Sequence, residues 1–303
     1  MKICLPINTR PPVVGYVRHA YRLALLTTDP RNTPWIQCHY LALTSGMLHR
    51  DPTEAEGFNF HFTPMYDYDA PGLERDRIHR DLVCPSGSPV VPFLVEALAR
   101  RTYPHMYVDE FHLPHKRAFE QVHFSHQTLV IGCDLSEDLR AGVILTLGFD
   151  AVQNFGVVAV PVEYFEHAFQ SHEFEAWKPV HRIDLFRLTP DPHYVSDSRW
   201  VRDQTRDYLQ GHSPEDRSPV HQNPVPARYG VDTYEGLAAH LHHLIQSEIF
   251  DLRPLHLLWE HKTRMAERIA YMIDRGWAEA GQRKSGDWWK PTTAWSEKRR
   301  GSE

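Results

Sequence analysis

The feature that most constrains the fold of this chain is a series of short apolar runs, each closed by turn residues, between residues 107 and 161. Segments 107–111, 127–131, 141–149 and 155–161 have the length and the β-branched and aromatic content of strands. The middle pair is joined by Cys133-Asp-Leu-Ser-Glu-Asp-Leu-Arg140, a turn-rich link suited to an antiparallel hairpin. Helices precede and follow the series, which points to the α+β class rather than a doubly wound sheet.

Ahead of the series, residues 3–7 read as an extended strand and residues 19–26 as a helix. Thr33-Pro34 reads as a helix start, with Thr33 as N-cap and Pro34 at the first helical position. That helix is expected to run through Trp35 and Cys38 to Leu41 or Ala42. Residues 57–68 alternate Phe58, Phe60 and Phe62 with polar residues, as a strand does, and residues 92–101 form a short amphipathic helix. Residues 162–169 begin another.

The chain changes character near residue 172. Beyond it come a polar helix over 196–210, a loop over 206–228, and a helix to Ser247 opened by the capping box Asp232-x-x-Glu235. Pro254 starts the longest helix, with an apolar stripe through Leu257, Leu258, Met265, Ile269 and Met272. The expected division is a domain over 1–172, a mainly helical region over 173–280, and a polar tail over 281–303 containing Trp288, Trp289 and Trp295.

A formal charge of −6 disfavours nucleic acid or an anionic membrane as partner. No apolar run approaches the roughly eighteen residues a membrane helix needs. The opening residues, broken by Pro6, do not read as a secretory signal. The four cysteines, Cys4, Cys38, Cys84 and Cys133, show no Cys-x-x-Cys spacing. With a cytoplasmic location as the default, all are expected to be free thiols.

Chemistry is suggested by His126-Gln-Thr-Leu-Val-Ile-Gly-Cys-Asp134, then a hairpin, then Leu145-Thr-Leu-Gly-Phe-Asp150. A histidine entering one strand and an aspartate leaving its antiparallel neighbour can stand side by side, the carboxylate orienting the imidazole. Upstream, Cys38 lies early in a helix, where the dipole favours a thiolate, although about the fifth helical position is less effective than the first turn. Nucleophile on an early helix, then base and orienter on later strands, is the papain-like chain order. Plainer readings stand beside it: Cys38 as a buried thiol, His126 as a structural histidine, Asp150 as a strand-end turn residue.

The pattern His126-x-x-Leu129-x-x-Gly132-x-Asp134, followed by Phe149-Asp150 and by Val160-Pro-Val-Glu-Tyr-Phe-Glu-His-Ala-Phe169, resembles the histidine–aspartate half of the butirosin biosynthesis protein H family. Tyr107-Val-Asp-Glu-Phe-His-Leu-Pro114, His123-Phe-Ser-His126, Tyr229-Gly-Val-Asp-Thr-Tyr234 and Arg253-Pro-Leu-His-Leu-Leu-Trp-Glu-His-Lys262 are similar to a branch found beside peptide-synthetase and polyketide genes. The resemblance implies a papain-like domain with an antiparallel sheet and a cysteine-dependent acyltransferase of secondary metabolism. Such an enzyme moves an acyl group from a carrier-protein phosphopantetheine thioester to a small amine, with no cofactor of its own and no metal. On that model Cys38 is the nucleophile, His126 the base and acid, and Asp150 the orienter. Gln37 and a backbone N–H near residue 38 hold the oxyanion, with His39, His123 and Asp134 as pocket or structural residues. The local sequence Thr-Pro-Trp-Ile-Gln-Cys-His differs from the family's Gly-x-Cys or His-Cys context, so a catalytically inactive scaffold that docks a carrier protein or an intermediate is an alternative. A second alternative is a metal-dependent hydrolase using His112/His115 and His123/His126, with Asp109 or Glu110 supplying oxygen.

Overall fold

The computed structural model describes residues 1–45, 60–62, 70–171, 173, 178–213, 228–247 and 252–278. The elements run β1 (Lys2–Cys4), α1 (Val17–Leu26), α2 (Thr33–Cys38), β2 (Leu43–Ser45), β3 (Phe60–Phe62), β4 (Leu73–His79), α3 (Arg80–Val83), α4 (Val91–Ala99) and β5 (Tyr103–Asp109). They continue β6 (Ser125–Leu135), β7 (Gly142–Phe149), β8 (Phe155–Pro161), α5 (Val162–Gln170), β9 (Arg182–Leu188), α6 (Ser198–Gln210), β10 (Arg228–Tyr229), α7 (Thr233–Ser247) and α8 (Arg253–Asp274).

The fold is α+β, organised on an antiparallel seven-stranded sheet in the order β4-β9-β5-β6-β7-β8. Strand β6 is long enough to take two partners along one edge. β5 pairs with its first half and β1 with its second, while β7 holds the other edge. The run from Thr128 to Cys133 is buried throughout, as expected for a central strand whose sequence is continuously apolar. Gly132 is required there: a Cβ would stand 2.4 Å from the Ile3 carbonyl oxygen, where β1 crosses a register shift in β6. Leu5 adds one further bond to Ile131, after which Pro6 has no N–H to give, so the expected strand over 3–7 is short.

The expected hairpin and its flanking helices are present, with α4 packed on β5 and β6, and α5 on β5, β7 and β8. Two strands departed from expectation. β4 (LERDRIH) and β9 (RIDLFRL) carry so many charges that neither reads as core, yet they pair along seven residues. The Arg77 guanidinium donates to Asp184 at 2.6 Å across that pair. β9 also pairs with β5, so the sheet is built from both sides of residue 172. Of the expected strand over 57–68, Phe60–Phe62 is β3 and the rest lies outside the described residues, as does the tail over 281–303.

Helix α8 is fastened to the first forty-one residues by buried polar contacts. Imidazole Nε2 of His261 on α8 lies 2.8 Å from the Leu41 carbonyl oxygen. Arg268, also buried, donates from Nε to the Gln37 carbonyl at 2.6 Å and from its terminal nitrogen to that of His39. The Gln37 and His39 carbonyls lie at the C-terminal end of α2, where oxygens have no intrahelical partner. The helix expected to reach Leu41 or Ala42 therefore ends at Cys38: His39 is extended and Tyr40 sits at φ +50°.

Candidate active site

Strand β5 ends in Asp109 and runs into a turn of 3-10 helix over Glu110–His112. The Asp109 carboxylate starts that turn by accepting from the Phe111 N–H at 3.1 Å, and the Glu110 N–H continues the sheet by donating to Phe124. Glu110 is thereby set beside the first residues of β6, and its buried carboxylate oxygen Oε1 lies 2.8 Å from Nδ1 of His126. An ionised carboxylate only accepts, so Nδ1 carries a proton and donates it to Glu110. Burial pushes the Glu110 carboxyl up, but the bonds from His126 and the nearby Lys116 ammonium outweigh it and hold it below its ordinary value. Lys116 stands 3.1 Å from the same oxygen and donates to the Phe149 carbonyl at 2.8 Å, bridging the turn to the end of β7.

The β6–β7 pairing ends at Leu129 opposite Leu147, where the Tyr21 hydroxyl donates to the Gln127 carbonyl at 3.0 Å, and His126 and Asp150 lie beyond that point on their two strands. Both residues line one open cleft of ≈1160 Å³. Their side chains are not partnered with each other. Asp150 folds its carboxylate back on its own turn, accepting from the Asn154 N–H at 2.8 Å and the Val152 N–H at 3.0 Å. The Asn154 backbone bond is the main reason its carboxyl titrates below the usual range. The orienting carboxylate for His126 is Glu110.

The opposite wall is the N-terminus of α1, with Val14 to Arg18 on the cleft. The residues from Val14 to Arg18 bring the N-terminal end of α1, the positive end of its dipole, to the cleft. The loop before it is pinned by Glu260 of α8, whose buried carboxylate accepts from Val14 N–H at 2.5 Å, from Gly15 N–H at 3.1 Å, and from His256 Nε2 at 3.0 Å. A Cβ on Gly15 would lie 3.0 Å from that carboxylate, close enough that the carboxylate would have to shift by a few tenths of an ångström. His256 also lines the cleft, and its bond to Glu260 raises its pKa. Arg18, Lys116, Arg117 and Arg253 give the lining a cationic bias in a chain of net negative charge.

The remaining expected site residues lie elsewhere. Cys38 is wholly buried at the last position of α2, the negative end of that helix, and is not among the residues lining the cleft. Its surroundings are the Tyr194 hydroxyl, whose pKa burial and Cys38 push up, and Arg268, lowered by burial to about 10. The Gln37 carbonyl is taken by Arg268. His39 stacks on Trp35 at 4.4 Å and bonds its carbonyl, and burial lowers its pKa to about 4. His123 turns away from the cleft to Asp109, its Nδ1 2.6 Å from Oδ2. Asp134 lies eight residues along β6 from His126, about 26 Å away at strand rise, and pairs with Lys2 at 3.5 Å. Cys4, Cys38, Cys84 and Cys133 are all free thiols.

Glu110, Lys116 and the Glu260–His256 pair were not foreseen as members of one site. The available signal was Asp109-Glu110 at a strand end, an acidic pair only as far from His126 as one antiparallel turn. No protein-family model matches the chain, and no curated protein matches it. No helix among the described residues is long and apolar enough to cross a membrane.

Proposed function

We propose that this chain is an acyl-transferring enzyme on a papain-like scaffold, in which His126, oriented by Glu110, activates the acceptor directly and no acyl-cysteine forms. The observation that carries this reading is the 2.8 Å His126–Glu110 contact inside an open cleft. A histidine so oriented is a general base whose free nitrogen faces the substrate space. In the papain-like order a helix N-terminus carrying the nucleophile faces such a histidine. Here α1 stands in that place, and the residues on the cleft are Val14-Gly-Tyr-Val-Arg18, without a cysteine.

The substrate class is the one that the sequence resemblance implies, an acyl thioester on a carrier-protein phosphopantetheine and a small amine. The cationic lining supports it, because Arg117 and Arg253 are exposed and suit a phosphate and an acidic carrier surface. In the transfer, the amine nitrogen attacks the thioester carbonyl and gives its proton to Nε2 of His126. The oxyanion is met by the positive N-terminal end of α1. The C–S bond then breaks, and the thiolate leaves as a thiol with the proton from His126. The thioester supplies the activation, so neither ATP nor a cofactor is needed.

A second reading, a non-catalytic scaffold that docks the carrier, is favoured by the lack of a cysteine among the described residues that line the cleft. The same experiment separates the two: acyl-carrier thioester and amine are incubated with the protein, and amide is followed by mass spectrometry. Direct transfer requires turnover that His126→Ala lowers by roughly 10²–10⁴-fold, that Cys38→Ser retains, and that shows no acyl adduct on intact protein. An adduct lost in Cys38→Ser would instead restore the covalent route. Carrier binding without turnover would establish the scaffold.

A further inference from the structure

Behind the cleft, on the other side of the turn that carries Glu110, Asp109, His112 and His123 place one ligand atom each within 4.8 Å of one another. We propose that these three side chains form a binding site for a divalent transition-metal ion of the zinc class, with a fourth position open to water. The inference does not depend on the function proposed for the cleft.

The donor set fits that chemistry: two imidazoles and one carboxylate suit zinc, and three protein ligands leave one place for water. A tetrahedral ion with bonds of about 2.0–2.1 Å needs donors about 3.3 Å apart. Here Nδ1 of His123 stands 2.6 Å from Oδ2 of Asp109, and Nε2 of His112 stands 4.0 Å from the same oxygen. One pair opens and the other closes by less than an ångström. Both imidazoles are free to do so, being 39% and 30% exposed, while Asp109 is only 1% exposed at its side chain.

The carboxylate is the fixed element. Its Oδ1 accepts from the N–H groups of Phe111 and Phe124, each at 3.1 Å, and Oδ2 accepts from the Ser171 hydroxyl at 2.8 Å. Such outer bonds orient a metal-bound carboxylate. The imidazole rings are inclined at 62° with centroids 6.0 Å apart, so their edges converge rather than stack. His167 of α5 stands next to His112, with ring centroids 6.2 Å apart. The pairing differs from the i,i+3 pairs in the sequence, because the turn brings His112 to His123 and sends His126 to the cleft. An ion here ties the start of β6 to the turn bearing Glu110.

The test uses the full chain stripped with a chelator and titrated with Zn²⁺ by calorimetry and with Co²⁺ by visible absorption. The expected result is about one ion per chain, an intense low-symmetry Co²⁺ spectrum, and a melting temperature that rises with zinc. The double variant His112→Ala/His123→Ala should bind at least about tenfold more weakly, and Asp109→Asn, which keeps acceptors for both backbone N–H groups, should also lose affinity. His242→Ala, an exposed histidine on α7, should bind as the wild type does. Stoichiometry below about a tenth of an ion per chain, or undiminished affinity in both the double variant and Asp109→Asn, overturns the proposal.

Discussion

Removing the carboxylate of Glu260 tests whether the C-terminal helices hold the cleft wall or merely cover it. Glu260 is 2% exposed and accepts from two backbone N–H groups, of Val14 and Gly15, and from His256. Glu260→Ala leaves these donors without an acceptor and opens a gap beside Gly15. Hydrogen bonds to charged groups contribute about 1.5–3 kcal/mol each, and breaking a buried charged contact typically costs about 3–5 kcal/mol. At roughly 2 °C per kcal/mol for a chain of this size, the melting temperature should fall on the order of 6–10 °C. Glu260→Gln keeps one acceptor oxygen and should lose about half as much. A contrast is Glu267 on the same helix, paired with Arg264 but 42% exposed, where alanine should cost about 1 kcal/mol or less. Calorimetric melts and urea titrations of the three variants decide the matter. If Glu260→Ala melts with Glu267→Ala, the carboxylate does not anchor the wall and the link from α8 to the cleft is void.

Two further outcomes follow from the sheet. Burial raises the Asp184 carboxyl, but its bonds to His105 and Arg77 more than reverse this, leaving its folded pKa well below the ordinary carboxylate value. A depressed folded pKa contributes stability that is complete above the unfolded pKa and is lost as pH falls through the folded one, so Asp184→Asn should flatten the fall in urea-measured stability below about pH 4; an unchanged slope would show that Asp184 is not responsible. Gly132→Ala should destabilise by about 1–3 kcal/mol, since its Cβ would meet the Ile3 carbonyl oxygen at 2.4 Å, and a variant as stable as wild type would mean that β1 does not lie against β6 as described.

The hairpin, α1, α4, α5 and the three C-terminal helices were legible because each rests on a local signal: apolar periodicity, a capping residue, or turn chemistry. β4 and β9 were not, because a strand with Arg77 and Asp184 inside its pattern is favourable only after its partner has arrived. Tertiary pairing supplied what composition concealed. The end of α2 was misjudged for a similar reason. Nothing between Cys38 and Ala42 breaks a helix, and the chain turns there because Arg268, more than two hundred residues away, binds the free carbonyls.

The same reasoning explains why the sequence located His126 and Asp150 in one cleft and yet named the wrong contact between them. A hairpin brings the start of β6 and the end of β7 to the same end of the sheet, so both residues reach one cleft. Which carboxylate an imidazole bonds is decided by competition. Asp150 has N–H donors within its own turn, only two and four residues on, and satisfying them needs no tertiary structure. Glu110 is buried with no N–H donor of its own turn on its carboxylate among the described contacts, so it finds compensation in His126 and Lys116. A carboxylate that is exposed and already bonded to backbone gains little from an imidazole, whereas a buried one without backbone donors gains much. His126 therefore pairs with Glu110, and its Nδ1 is committed to that carboxylate on the cleft wall.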